Sequence, residues 1–132
     1  MKKPTARIDP VGIVGLGLLG RGIATCLLSR GFRVRGYDRS ARQAKVAMDH
    51  IAAALDEMAR RKVISRASIK DWRSRFTLVR SLEELGDCVF VIESVKEDLE
   101  LKRDIFRRLE TTIQPAAVIA SNTSSLPISI LQ

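Results

Sequence analysis

Between Val11 and Asp38 the chain reads VGIVGLGLLGRGIATCLLSRGFRVRGYD, an order of residues that few folds accommodate. A short apolar run, Val11–Val14, leads into Gly15-Leu16-Gly17-Leu18-Leu19-Gly20. An apolar, helix-permissive run follows to Arg30, and Gly31 suits the left-handed residue that ends many helices. A second strand-like run, Phe32–Tyr37, ends in Asp38. The pattern is therefore strand, G-x-G-x-x-G, helix, strand, and an acid about twenty residues on. Gly15 permits a tight turn, Gly17 lets the backbone approach a pyrophosphate, and Gly20 lets the helix lie close to the strand. The free N–H groups and positive dipole end of the helix then face the phosphates. Glycines also cluster in ordinary turns before buried helices, so the motif alone is a weak signal. The flanking strand, helix and acid make it a specific one for a dinucleotide fold.

At 132 residues the chain has the length of one domain. With 45% hydrophobic and 29% charged residues it can bury a core. Cys26 and Cys88 sit inside apolar runs, which suits small core residues in a reducing compartment rather than a disulfide framework. One histidine, His50, and no cysteine cluster leave no metal site to argue. The net charge of +8 is uneven: +8 over residues 1–45, +4 over 46–80 and −4 over 81–132. A basic half attracts anionic partners. No basic run is interleaved with stacking aromatics, since Trp72 and Tyr37 are the only residues of their kinds. A phosphate-bearing cofactor or coenzyme is therefore expected, and nucleic acid is not. Met1-Lys2-Lys3 before an apolar run could suggest a leader, but Asp9, Pro10 and the glycine spacing oppose it. No run reaches the eighteen or so apolar residues of a membrane span. The expectation is a cytoplasmic protein without a membrane partner.

In chain order, Val11–Val14 is expected as a central strand and Leu18–Arg30 as the first helix, with Ile23, Cys26 and Leu27 on its buried face. Phe32–Tyr37 is a second, less buried strand. Ser40 caps a long helix from Ala41 to about Lys62, with Gln43 at the capping-box position. Its apolar stripe is Ala44, Ala47, Met48, Ile51, Ala54, Leu55 and Met58. Ser65 caps a second helix, Arg66–Arg75, so a helical hairpin is expected to project from the sheet after the second strand. Phe76–Val79 is a short strand, and Ser81–Leu85 a helical turn with Ser81 and Glu84 forming a capping box. Cys88–Ile92 is a central strand and Glu93–Asp98 its exit loop. Leu99–Thr112 is an amphipathic helix with Leu101, Ile105, Phe106 and Leu109 inward. Pro115 marks a break, Val118–Ala120 is another central strand, and Pro127 starts a closing segment. The fold class is a Rossmann-type, doubly wound, mostly parallel sheet carrying that hairpin. Ligands bind beyond the carboxyl ends of the strands in such sheets. That rule gathers Gly15–Gly20, Asp38, Glu93–Glu97 and Ser121–Ser125 on one rim.

Taken together, GLGLLGRGIA (15–24), YD (37–38), VIESVKEDLELK (91–102), SNTSSL (121–126) and the helical insertion resemble the NAD-binding domain of the L-3-hydroxyacyl-CoA dehydrogenases. The resemblance spans residues 8–132. The first motif is shared by many dehydrogenases; the last two, with the insertion, are far more specific. The resemblance implies NAD as cofactor, an acyl-CoA as substrate, and the oxidation of (S)-3-hydroxyacyl-CoA to 3-ketoacyl-CoA. Gly15, Leu16, Gly17, Leu18, Leu19 and Gly20 would hold the pyrophosphate. Asp38 would accept the adenosine ribose hydroxyls and repel a 2′-phosphate, although Arg39 beside it could accommodate one. Glu97 and Lys102 would contact the cofactor near its nicotinamide end, their alternative being a solvated pair on a helix; Glu93 is a further candidate of that sort. Ser124 would touch both nicotinamide and the reacting substrate oxygen, and Asn122 would support that loop and the nicotinamide ribose. Arg61, flanked by Arg60 and Lys62, would meet the coenzyme A phosphates, whereas Ala54 stands where the family can carry a serine. In this family the histidine of a H-F-x-x-P type motif, paired with a glutamate, takes the hydroxyl proton. That motif would follow SNTSSL, and His50 is not placed for the task.

The expectation is accordingly that residues 1–132 are the cofactor domain of a longer, homodimeric enzyme, lacking the catalytic pair and the helical dimerisation domain. Two alternatives remain: a stand-alone nucleotide-binding sensor or interaction module, and an NAD-dependent dehydrogenase of a related family acting on a non-CoA hydroxy acid such as a sugar acid or carnitine.

Overall fold

The computed structural model describes residues 9–122. Its first strand, β1 (Val11–Val14), has no polar side chain and is buried at all four positions, as a strand covered on both faces must be. The chain then alternates helix and strand: α1 (Leu18–Ser29), β2 (Val34–Tyr37), α2 (Ala41–Arg60), α3 (Arg66–Ile69), α4 (Trp72–Arg75) and β3 (Phe76–Leu78). A 3₁₀ turn (Leu82–Leu85), β4 (Phe90–Glu93), α5 (Leu99–Thr112) and β5 (Val118–Ser121) follow. The five strands are parallel in the order β3-β2-β1-β4-β5. The chain winds outward from β1 in one direction through β3, then returns beside β1 as β4. That reversal opens a crevice at the carboxyl ends of β1 and β4, where such sheets bind ligands.

Each face of the sheet has its own core. Ile13, Leu28, Val34, Ile51, Leu55 and Trp72 pack together on the face covered by α1 and α2. Val14, Leu82, Cys88, Val91, Ile105 and Leu109 pack on the face covered by α5. The helix ends are chemically specified. Ser40, Ser65 and Asp98 each accept the N–H three residues on, and Glu84 closes the expected box by accepting from the Ser81 N–H at 3.1 Å. Gly31 takes the expected left-handed conformation, φ 87°.

Several expectations need correction. The fully buried positions of α1 are Gly20, Ala24, Thr25 and Leu28; Ile23 and Leu27 pack against the same core as expected, but Cys26 is exposed. Gly20 meets the β1 turn most closely, where a Cβ would lie 1.8 Å from the Gly15 carbonyl oxygen. The hairpin is anchored in the core. Ala47, Ile51 and Leu55 are buried with Ile69 and Trp72 in the same core as Ile13. Burying a single Leu or Ile side chain is worth about 1.5–3 kcal/mol, enough to lay the long helix down. Its second arm is two short helices, broken where Asp71 leaves helical dihedrals (φ −109°, ψ 17°). Arg75 secures α4 by donating to the carbonyls of Leu28 (2.9 Å) and Phe32 (3.2 Å). α2 stops at Arg60, with Lys62 left-handed at φ 60° and Val63 N–H donating to the Met58 carbonyl at 2.9 Å. That is a Schellman end built on lysine instead of glycine. β4 starts at Phe90, two residues later than expected, and takes in Glu93. β5 is the outer strand among the described residues, with Val118 exposed, rather than a central one.

Candidate functional site

The turn after β1 is held by contacts that admit only glycine. Gly15 has φ 95°, and a Cβ on it would lie 2.5 Å from the Ser94 carbonyl oxygen. A Cβ on Gly20 would lie 1.8 Å from the Gly15 carbonyl oxygen. Gly17 differs: a Cβ there would meet nothing nearer than Gln43 Nε2 at 4.0 Å. Space lies open above Gly17, at the start of α1. That helix has no side-chain cap and no acidic residue in its first turn. Its leading N–H groups have no partner within the helix, so the positive end of its dipole faces the opening.

Side chains from the β2–α2 segment fix this turn. Leu16 N–H donates to Asp38 Oδ2 at 2.9 Å, and Gln43 Nε2 donates to the Leu16 carbonyl at 3.2 Å. Asp38 Oδ1 accepts the Ser40 N–H at 2.9 Å. Gln43 therefore does not close a capping box with Ser40, whose N–H is already taken. Each Asp38 oxygen carries one backbone hydrogen bond and retains a further lone pair. Gly15, Gly17, Asp38, Arg39 and Gln43 line one side of a cavity of about 500 Å³. Leu82, Val95, Leu101 and Ile105 supply its apolar lining, and Lys96, Asp104 and Arg108 further charged groups. An acid at a polar edge and an apolar slot beyond it can hold a sugar and the flat base attached to it.

A second cluster sits where β4 and β5 end. Lys102 is 0% exposed, and its Nζ lies 3.1 Å from Glu93 Oε1 and 2.8 Å from Glu97 Oε1. Glu93 is also fully buried; it accepts the Val95 N–H at 2.7 Å and the Ser121 hydroxyl at 2.6 Å. The Glu97 side chain is 32% exposed. An unpaired buried charge is strongly disfavoured, whereas this one is matched by carboxylates. Of Glu97 and Lys102, for which a solvated pair is the alternative, Lys102 is enclosed and Glu97 is part-exposed.

The remaining expected site residues fall as follows. Leu16 is buried and its N–H and carbonyl are already bonded to Asp38 and Gln43, so it shapes the turn, whereas Leu18 and Leu19 are exposed, at 74% and 63%. Asn122 donates its backbone N–H to the Glu93 carbonyl at 2.8 Å and its side-chain amide to Ser94 Oγ at 3.3 Å. Glu97, Lys102 and Asn122 do not line the cavity; they lie beside it, at the other strand ends. Arg61 is exposed on the far end of α2, with Nε 2.6 Å from Glu57 Oε1, and Arg60 pairs with Glu57 and Asp56. Exposed pairs of this kind are worth about 0–1 kcal/mol, little resistance to an incoming phosphate. His50 is exposed on α2. Ser124 and Pro127 lie outside the described residues. Gln43 went unrecognised as a site residue, because a capping-box reading absorbed it. Glu93 carries a readable signal, as the charge that closes the apolar strand β4.

Residues 10–132 match the family described as 3-hydroxyacyl-CoA dehydrogenase, NAD binding domain. A 3-hydroxybutyryl-CoA dehydrogenase of Bradyrhizobium diazoefficiens is 37% identical over 96% of this chain and 43% of its own length. An L-carnitine dehydrogenase of Streptomyces griseus is also 37% identical, over 92% of this chain and 36% of its own. The crystal structure of FadB2 from M. tuberculosis superposes with a TM-score of 0.87 at 31% identity, covering 92% of this chain and 43% of that one. The chain thus spans less than half the length of these relatives.

Proposed function

The chain belongs to the 3-hydroxyacyl-CoA dehydrogenase NAD-binding domain family, and on that premise we propose that it is the cofactor-binding part of an enzyme oxidising (S)-3-hydroxyacyl-CoA to 3-ketoacyl-CoA. The observation that carries this reading is the open space over Gly17, facing Asp38 along one cavity. The donor set fits NAD. Unpartnered N–H groups at the start of α1 would hold the pyrophosphate. The remaining lone pairs of Asp38 would take the adenosine ribose hydroxyls, and the apolar lining of Leu82, Val95 and Ile105 would take adenine. A 2′-phosphate would meet the Asp38 carboxylate, whose two backbone hydrogen bonds hold it in place. NAD, when bound, supplies the acceptor for the hydride that leaves C3 of the substrate. Glu97, Lys102 and Asn122, beside the cavity at the ends of β4 and β5, stand on the nicotinamide side, with Ser124 two residues past Asn122. Ser124 would orient the reacting oxygen, and Arg61, with Arg60 and Lys62, would receive the coenzyme A phosphates.

Proton removal from the 3-hydroxyl needs a titrating group within hydrogen-bond reach. We assign that role to a histidine–glutamate pair beyond residue 132, in a longer homodimeric protein whose helical domain follows this one. Two free thiols agree with a cytoplasmic setting. No helix among the described residues is long and apolar enough to cross a membrane.

Titrating NADH and NADPH, with and without Asp38→Ala, tests the cofactor site: wild type should prefer NADH, and the variant should lose that preference. The 132-residue chain with NADH and acetoacetyl-CoA should leave the nicotinamide absorbance unchanged; its loss would overturn the division of labour. Equal identity to the carnitine enzyme keeps a non-CoA hydroxy acid as a second reading. Acyl-CoA turnover by the full-length protein should weaken on Arg61→Glu, and a non-CoA enzyme should not respond. A stop codon after Gln132, in place of a H-F-x-x-P continuation, would favour a stand-alone module.

A further inference from the structure

We propose that Glu93 is the positioning residue of the cofactor's reactive end, tying the loops after β4 and β5 into one unit through its buried carboxylate. The inference rests on the dinucleotide reading of the cavity and goes beyond it. Glu93 is the last residue of β4, in register with Ser121 of β5 on one side and Val14 of β1 on the other. It therefore sits where the sheet opens and where each neighbouring strand gives way to a loop. A fully buried carboxylate at that point is disfavoured unless its lone pairs are filled, and three different segments fill them. Oε2 accepts the Val95 N–H at 2.7 Å, which fixes the first turn of the β4 exit loop. Oε1 accepts the Ser121 hydroxyl at 2.6 Å, which fixes the end of β5. Oε1 also faces Lys102 Nζ at 3.1 Å, and Lys102 in turn holds Glu97 at 2.8 Å. The backbone carbonyl of the same residue accepts the Asn122 N–H at 2.8 Å. Asn122 reaches back to Ser94 Oγ at 3.3 Å.

Glu97 and Asn122 thus take their places from one residue that need not touch the cofactor. The adenosine side, by contrast, is set mainly by Asp38 and Gln43 acting on Leu16. Glu93 reaches that side only through the Val95 N–H, which the amide oxygen of a glutamine can still accept. Charge-assisted hydrogen bonds are about twice as strong as neutral ones. A neutral amide would also present an N–H to a place that now receives only donors. Glu93→Gln keeps the shape but weakens the tie.

The test separates the two ends. NADH and ADP-ribose are titrated against the protein as wild type, Glu93→Gln and Ser121→Ala, with bound-NADH fluorescence read at saturation and thermal midpoints recorded alongside. The nicotinamide end contributes to NADH binding only. NADH affinity should fall about tenfold in Glu93→Gln and about threefold in Ser121→Ala, with a changed fluorescence of the bound nicotinamide. ADP-ribose affinity should stay within about twofold of wild type in both. Should both ligands weaken together, or NADH binding and its fluorescence be unmoved in both variants, the positioning role is overturned while the cofactor site stands. Failure of wild type to bind ADP-ribose would overturn the dinucleotide reading itself, and this inference with it.

Discussion

Replacing Lys102 by methionine removes the ammonium and keeps most of the side chain's volume. Lys102 is fully buried, and its charge faces two carboxylates at 3.1 Å and 2.8 Å. Glu97 can turn toward water, since a third of its side chain is exposed. Glu93 cannot; it is buried and enclosed by β1, β5 and α5. The variant therefore leaves one buried carboxylate with two neutral hydrogen bonds and no cation. Breaking a buried pair in this way costs about 3–5 kcal/mol, a large share of the roughly 5–15 kcal/mol that a domain has. Urea unfolding measures it directly, because Trp72, the only tryptophan, is buried in the core formed with α2. With a denaturant slope of about 2 kcal/mol/M, the midpoint should drop by roughly 1.5–2.5 M. The double variant Lys102→Met/Glu93→Gln should recover part of that loss, because it no longer buries a bare charge. A drop below about 0.5 M would put Lys102 at the value of a surface pair and refute the buried node.

Two glycines of the turn, Gly20 and Gly17, should separate cleanly. Gly20→Ala, whose Cβ would stand 1.8 Å from a backbone oxygen, should destabilise by about 3 kcal/mol or more in the same urea assay. Gly17→Ala, with open space around it, should leave stability within about 0.5 kcal/mol yet weaken NADH binding in a fluorescence titration. Lys62→Gly should raise stability by about 1 kcal/mol, because lysine there is left-handed. Burial pushes the Cys88 thiol up to about 11 from 9.0. A group raised on folding adds stability that is present below its unfolded value and is lost as pH rises through its folded one. Wild type should accordingly lose stability between about pH 9 and 11 relative to Cys88→Ala, checked by thermal midpoints across that range. Cys26, which is exposed, should be alkylated in the native state while Cys88 is spared.

Periodicity and turn chemistry carried most of the fold. Four apolar residues at Val11–Val14 allow one central strand, and the glycine spacing allows one kind of exit from it. Ser40, Ser65 and Asp98 mark helix starts because a side-chain oxygen there satisfies an N–H that the helix cannot. What escaped was decided by contacts distant in sequence. The phase of α1 rests on how closely Gly20 approaches the β1 turn, which leaves Ile23 and Leu27 against the core and Cys26 in solvent. Lys102 reads as a surface residue of an amphipathic helix until β4 and β5 bring Glu93 and Ser121 beside it. Gln43 satisfies the capping-box pattern locally, but Asp38 takes the Ser40 N–H first, and Gln43 turns to Leu16. The phosphate and ribose side was legible because Gly15–Gly20 and Asp38 belong to one β-α-β unit, whereas the apolar lining of Leu82, Val95 and Ile105 comes from later segments. The other end was only partly so, since it is assembled from three segments.

Calorimetric titration of the chain with NADH and, separately, with NADPH tests the central claim most directly. The arrangement of Gly17, the start of α1 and Asp38 predicts one NADH site per chain and binding of NADPH at least tenfold weaker, a difference of about 1.4 kcal/mol or more. Equal affinities, or no heat with either nucleotide at millimolar concentration, would contradict it.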